Sequence, residues 1–103
     1  MATVVKTARL GVAHPSPPPW IPFESKQGSG TLISIGVADA RCAHYFKVNI
    51  DGSLLVEDLL CVTGGPRAHN SITIMAPFSR LLEVWITSTG GQDDATYWLV
   101  YDA

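Results

Sequence analysis

The chain has 103 residues, with seven Lys+Arg against nine Asp+Glu and a formal net charge of −2 at pH 7. That length holds one small domain and excludes a multi-domain enzyme, and the charge balance supplies no basic face of the kind that nucleic-acid binding requires. Charged residues make up 16% of the sequence and hydrophobic ones 47%, which excludes a wholly disordered chain and leaves little charge to cover an exposed surface, so that some surface is expected to lie against a partner.

The first stretch, Met1 to Ala13, has Lys6 and Arg9 interrupting any apolar run, so no signal peptide is expected and synthesis is read as cytosolic. No run approaches the ~18 apolar residues that span a bilayer, and no membrane partner is expected. Within this stretch, the β-branched residues of Thr3 to Leu10 favour a short strand. Five of the seven prolines precede residue 30. The run Pro15 to Trp20 favours stiff, extended polyproline II, and Ser25-Lys26-Gln27-Gly28-Ser29-Gly30 reads as a flexible hinge. The expected division is therefore an extended Pro-rich arm and linker over residues 1–30 and a globular domain over 31–103. In the arm, Pro17, Pro18 and Pro19 supply stiffness, while Trp20 and Phe23 are apolar anchors for a partner surface. The alternative is an arm folded over its own domain.

From Thr31 onward the pattern is β. Ile33, Ile35 and Val37 are assigned to one face, with Leu32, Ser34 and Gly36 on the other. His44 to Ile50 alternates, Phe46, Val48 and Ile50 against Tyr45, Lys47 and Asn49. Asp51-Gly52 suits a type I′ hairpin, and Ser53 to Glu57 returns as its partner strand. Leu59 to Thr63 is a further apolar run ended by Gly64-Gly65-Pro66. Asn70 to Met75 places Ile72 and Ile74 inward, and Pro77 is expected to break the run. Leu82, Val84 and Ile86 share a face, Gly90 to Asp94 forms a turn, and Tyr97, Leu99 and Tyr101 alternate with Trp98 and Val100. The last strand is apolar on both faces, which suits a central strand or one covered by a neighbouring subunit. No segment keeps a helical period. The fold class is therefore all-β, an antiparallel β-sandwich or jelly-roll-like barrel.

The sequence carries no chemical signature. His14, His44 and His69 lack ligand spacing, so no metal is expected. Gly28-Ser29-Gly30 lacks the spacing of a nucleophile elbow. Asp93 and Asp94 lack the spaced oxygen ligands of a calcium loop, and Thr63 to Arg67 lacks the ending of a P-loop. No cofactor is expected. Cys42 and Cys61 allow one bridge, and compartment decides between a bridge and free thiols. Trp85, Tyr97, Trp98 and Tyr101 form the candidate interface or ligand face; such aromatics fill cores and subunit interfaces more often than they stack sugars.

Three segments carry a resemblance. Tyr45-Phe46-Lys47-Val48-Asn49-Ile50-Asp51-Gly52 is a strand ending in a D-G turn, Ile74-Met75-Ala76-Pro77-Phe78 is a strand ending in P-F, and Leu82-Glu83-Val84-Trp85 is an alternating strand. Over Thr31 to Tyr101 the chain resembles small β-sandwich proteins of tailed-phage virions, capsid decoration (cement) proteins or tail-associated modules. The resemblance implies a non-enzymatic subunit held in a symmetric shell, with an arm reaching its neighbours, and no functional residue is carried over with it. The partners then expected are copies of the chain itself, as a homo-oligomer such as a trimer, and a major capsid or other virion protein. The location is the virion. The alternative is a carbohydrate- or receptor-binding module of a tail or fibre.

Overall fold

In the computed structural model, which describes residues 2–10, 20–61, 68–88 and 95–103, eight strands follow one another: β1 (Thr3–Leu10), β2 (Ile21–Gln27), β3 (Gly30–Ala40), β4 (His44–Ile50), β5 (Ser53–Cys61), β6 (Ala68–Phe78), β7 (Leu81–Ser88) and β8 (Ala95–Asp102). They form two four-stranded antiparallel sheets, ordered β1-β8-β3-β6 and β2-β7-β4-β5. Only β4 and β5 are consecutive strands of one sheet; every other step in the chain crosses to the facing sheet. That order is an eight-stranded jelly roll. The core fills the space between the sheets, with Leu32, Ile35, Phe46, Val48, Leu82, Val84, Tyr97 and Leu99 among its buried members.

Strict alternation positions β4, β7 and β8. Phe46 and Val48 point inward, as do Leu82, Val84 and Ile86, and then Tyr97, Leu99 and Tyr101. β8 lies between β1 and β3, and its outward apolar residues Trp98 and Val100 are half-buried. Asp51 and Gly52 have φ of 51° and 88°, the left-handed pair that a type I′ hairpin needs.

Bulges explain the departures. β3 carries an extra residue, Ile33, against β8. This resets the alternation, so Leu32 joins Ile35 and Val37 in the core while Ile33 is half-exposed; the expected grouping of Ile33 with Ile35 is corrected. Opposite it, β6 carries Ile74 and Met75 against Ile33 alone, with Met75 at φ 55°. Pro77 does not end β6, because β6 is an edge strand and an edge can forgo one N–H. Ser53 to Glu57 and Leu59 to Cys61 belong to one strand, β5, while Val62 and Thr63 lie outside the described residues.

The segment before residue 30 is also corrected. Thr3–Leu10 is the expected strand, and it pairs with β8 along its whole length. Ile21–Gln27 pairs with β7, so Ser25, Lys26 and Gln27 are strand rather than hinge. Residues 1–30 therefore contribute two edge strands to the sheets of the 31–103 segment. Pro15, Pro17, Pro18 and Pro19 lie outside the described residues, as do the Gly64-Gly65-Pro66 and Gly90 to Asp94 turns.

Candidate interaction surface

The two flanks of the sandwich differ. At the β1/β2 flank, Glu24 ties the sheets together. Its carboxylate accepts from Lys6 Nζ on β1 at 3.2 Å and from the Tyr101 hydroxyl on β8 at 2.9 Å. Burial pushes the Glu24 carboxyl up, but the bonds from Tyr101, Lys6 and its neighbour Ser25 N–H outweigh that and hold it below the usual carboxylate range. Burial, together with the bond to Glu24 and its charge, pushes the Tyr101 hydroxyl up to about 12. This flank is closed by polar groups.

The β5/β6 flank is open and apolar. β5 has a partner on one side only, and bulges at Leu55 and Leu60 break its alternation. The second bulge turns Leu60 and Cys61 inward in succession. Leu54 (60% exposed), Leu55 (48%) and Leu59 (38%) stay outside. On β6, Met75 is 59% exposed. A groove of about 570 Å³ runs between the strands, and its lining includes Leu55, Val56, Ile72, Ile74 and Met75. Asp58 is the one charged side chain of that lining, and its Oδ1 accepts from the Leu59 N–H at 2.7 Å. Asn70 Nδ2 donates to the Leu60 carbonyl at 2.7 Å and fastens one end of the flank.

One end of the sandwich is stapled by Asp51. Its carboxylate accepts from the backbone N–H groups of Ser79, Arg80 and Leu81 and from the Ser79 hydroxyl, at 2.6–3.2 Å. The Arg80 guanidinium donates to the Asp51 carbonyl at 3.0 Å. The Leu81 N–H first, then the Ser79 hydroxyl and the remaining N–H groups, hold this carboxyl well below the usual carboxylate range. A depressed folded-state value means that the staple's stabilisation is complete above the unfolded carboxyl's ~3.9 and is lost as pH falls through the folded value. Urea midpoints measured from pH 5 to pH 2 are therefore expected to fall more steeply for the wild type than for Asp51→Asn, which starts lower. Parallel curves would contradict this.

The expected site residues fall into two groups. Phe23, expected to anchor a neighbour, is 4% exposed and belongs to this chain's own core. It is the extra residue of a β2 bulge between Pro22 and Glu24, and that bulge turns it inward, where its ring packs edge-on against Tyr97 at 6.1 Å. Tyr97 and Tyr101 are likewise buried, so neither presents a surface. Trp20, Trp85 and Trp98 are half-buried. Trp98 lies over Gly36, its register partner on β3. Trp20 and Trp85 share Lys47, whose Nζ is 4.9 Å from one ring centroid and 4.7 Å from the other, a double cation–π contact. Pro17, Pro18 and Pro19 lie outside the described residues.

Leu54, Leu55, Leu59 and Met75 did not stand out in the sequence reading. The doublets Leu54-Leu55 and Leu59-Leu60 are the signal that could have found them, because adjacent leucines in a strand cannot both face one core. Of the histidines, His44 is buried and His69 exposed on β6, and of the cysteines Cys42 is half-buried and Cys61 buried. Among the described residues no three His, Cys, Asp or Glu side chains gather as a metal site would need.

No family model matches the chain, and no curated protein matches it. Several chains of solved structures align with it, two of them as follows. One is the structure of infectious bursal disease virus, Gx strain, with 14% identity and a TM-score of 0.45 over 96% of this chain and 32% of that one. The other is the crystal structure of the T13 particle of the same virus, with 13% identity and a TM-score of 0.46 over 97% of this chain and 30% of that one. The chain thus spans about a third of the length of the chains it aligns with.

Proposed function

We propose that this protein is a non-enzymatic structural subunit of a virion, a decoration or cement subunit that docks on a shell protein through its β5–β6 flank. Jelly rolls occur in viral capsid and lectin domains, but a fold does not carry a function by itself. The observation that supports the reading is the flank: exposed Leu55 and Met75 line an apolar groove with a single charge, and the same edge strand also exposes Leu54 and Leu59. Such a surface is costly to leave in water. The bulges of β5 disfavour simple strand addition, so the occupant is a projecting segment with apolar side chains and a Lys or Arg facing Asp58. The low charged share and the exposed leucines also suit a chain that self-associates as a homo-oligomer, such as a trimer, within the shell.

The test is co-sedimentation with shell particles stripped of the protein. A Leu55→Asp/Met75→Asp variant is expected to keep its melting temperature, because both side chains are largely outside the core. It is expected to lose at least ~30-fold in binding, the scale of one interface hot spot. Undiminished binding by the folded variant would refute the docking surface.

A second reading draws on the Trp20–Lys47–Trp85 cluster. Two indole faces on the outer side of the β2-β7-β4-β5 sheet offer a stacking surface for a sugar, as a carbohydrate-binding module of a tail or fibre would. Glycan-array binding that disappears in a folded Trp85→Ala variant would favour this reading over docking.

A further inference from the structure

Trp98 belongs to β8, a central strand of its sheet. Its neighbours Tyr97 and Leu99 are buried in the core, so alternation turns Trp98 to the outer face. The indole lies across Gly36, its register partner on β3. The place that a Cβ on Gly36 would take is filled by Cζ2, Cε2 and Cη2 of the six-membered ring. The missing side chain at this position therefore lets the indole settle onto the sheet. Gly36 is buried, while Trp98 is only half-buried. The ring is thus supported from below and reachable from solvent.

The strand register surrounds this ring with hydroxyls. Its own row across the sheet reads Thr7, Trp98, Gly36, Ser71, and the next outward row reads Val5, Val100, Ser34, Thr73. Neither row holds a charged residue. Thr7, Ser71 and Thr73 are exposed and Ser34 is half-buried, and among the described residues none of the four hydroxyls has a hydrogen-bond partner. Strands ~4.8 Å apart give the patch a width of ~14 Å, and its two rows stand ~7 Å apart. That is on the order of 100 Å², against the ~800 Å² per partner of a standard protein interface, so the patch has the scale of a small ligand. An indole face, free donors and acceptors around it, and no ionic group match one chemistry: an uncharged sugar, with its apolar C–H face and its rim of hydroxyls.

We propose that the outer face of the β1-β8-β3-β6 sheet around Trp98 is a binding site for a neutral glycan chain. One sugar ring stacks its C–H face on the Trp98 indole. The Thr7 and Ser71 hydroxyls, at the two ends of the Trp98 row, and the Thr73 hydroxyl in the next row each donate to and accept from sugar hydroxyls. A carboxylate-bearing glycan gains nothing here, because neither row offers a cation to pair with it. The site lies on the sheet opposite the Trp20–Lys47–Trp85 cluster, where the chain's own Lys47 already stands over both rings. It is also separate from the β5–β6 groove and does not depend on whether that groove docks on a shell.

The experiment titrates isotope-labelled full-length protein with neutral hexasaccharides (cellohexaose, mannohexaose and chitohexaose) and with a hyaluronan hexasaccharide as the acidic counterpart. Nuclear magnetic resonance follows the indole N–H signals of the three tryptophans. At least one neutral chain is expected to shift the Trp98 signal saturably and to leave those of Trp20 and Trp85 in place, with the acidic chain binding more weakly. Trp98→Ala is expected to lose at least ~10-fold in affinity, as removal of a stacking surface does. Thr7→Val/Thr73→Val keeps side-chain shape and is expected to lose ~10-fold through its missing hydrogen bonds; it decides the matter if Trp98→Ala does not fold. Leu55→Asp/Met75→Asp is expected to bind the oligosaccharide as the wild type does, which separates this site from the docking flank. A Trp98 signal that no neutral chain moves, shifts confined to Trp20 and Trp85, tighter binding of the acidic chain, or undiminished affinity in a folded Trp98→Ala or Thr7→Val/Thr73→Val variant would overturn the proposal.

Discussion

A chain lacking residues 1–24 is expected not to fold. β1 covers β8 over its full length, from Thr3 opposite Asp102 to Leu10 opposite Ala95. Without it β8, apolar on both faces and built for a central place, becomes an open edge. The same deletion removes Phe23 from the core. Loss of one buried Phe side chain alone costs ~3–5 kcal/mol, against a total of ~5–15 kcal/mol for an ordinary domain. The Glu24 link to Lys6 and Tyr101 goes as well. Far-UV circular dichroism and urea unfolding check this directly: the truncated chain should show no cooperative transition. A sharp transition with native near-UV signal would mean that residues 1–24 are an appended arm after all.

Gly30→Ala is expected to be the most damaging small substitution in the sheets. Gly30 opens β3, and a Cβ there would run into the backbone carbonyl oxygen of Asp102, with the Phe78 ring on its other side. Backbone cannot swing aside as a side chain does, so the end of the β3–β8 pairing must open. A loss of ~2–3 kcal/mol is expected, at the upper end for overpacking. Gly36→Ala makes a useful contrast, because the atoms it meets belong to the Trp98 indole. It should cost less and should shift tryptophan fluorescence as the ring moves toward solvent. Equal stability of Gly30→Ala and wild type in urea would contradict the close approach at Asp102.

The sheets were legible where alternation is unbroken. Phe46, Val48, Leu82, Val84, Ile86, Tyr97 and Leu99 are all core residues that a period of two identifies. Asp51-Gly52 was legible because its backbone angles demand those residue types. Bulges hid the rest. One extra residue at Ile33 reverses the facing of everything before it. At Phe23, a bulge within a Pro-rich context turned a core residue into an expected anchor for a neighbour. Strand order was not readable from local pattern, since pairing β1 with β8 joins the two ends of the chain. The open flank was half visible. The leucine doublets announce an excess of apolar side chains on β5, but only the facing of β6 makes a groove at Leu55. The His44–Tyr97 contact was invisible, because the sequence separates the two residues by 53 positions.

The docking of the β5–β6 flank is tested most directly by light-scattering mass, measured on the purified chain alone and again with shell particles. The account predicts an assembled species for the chain alone and a stoichiometric gain in particle mass on mixing, lost in Leu55→Asp/Met75→Asp. A solitary monomer that leaves the mass of every shell particle unchanged would contradict it.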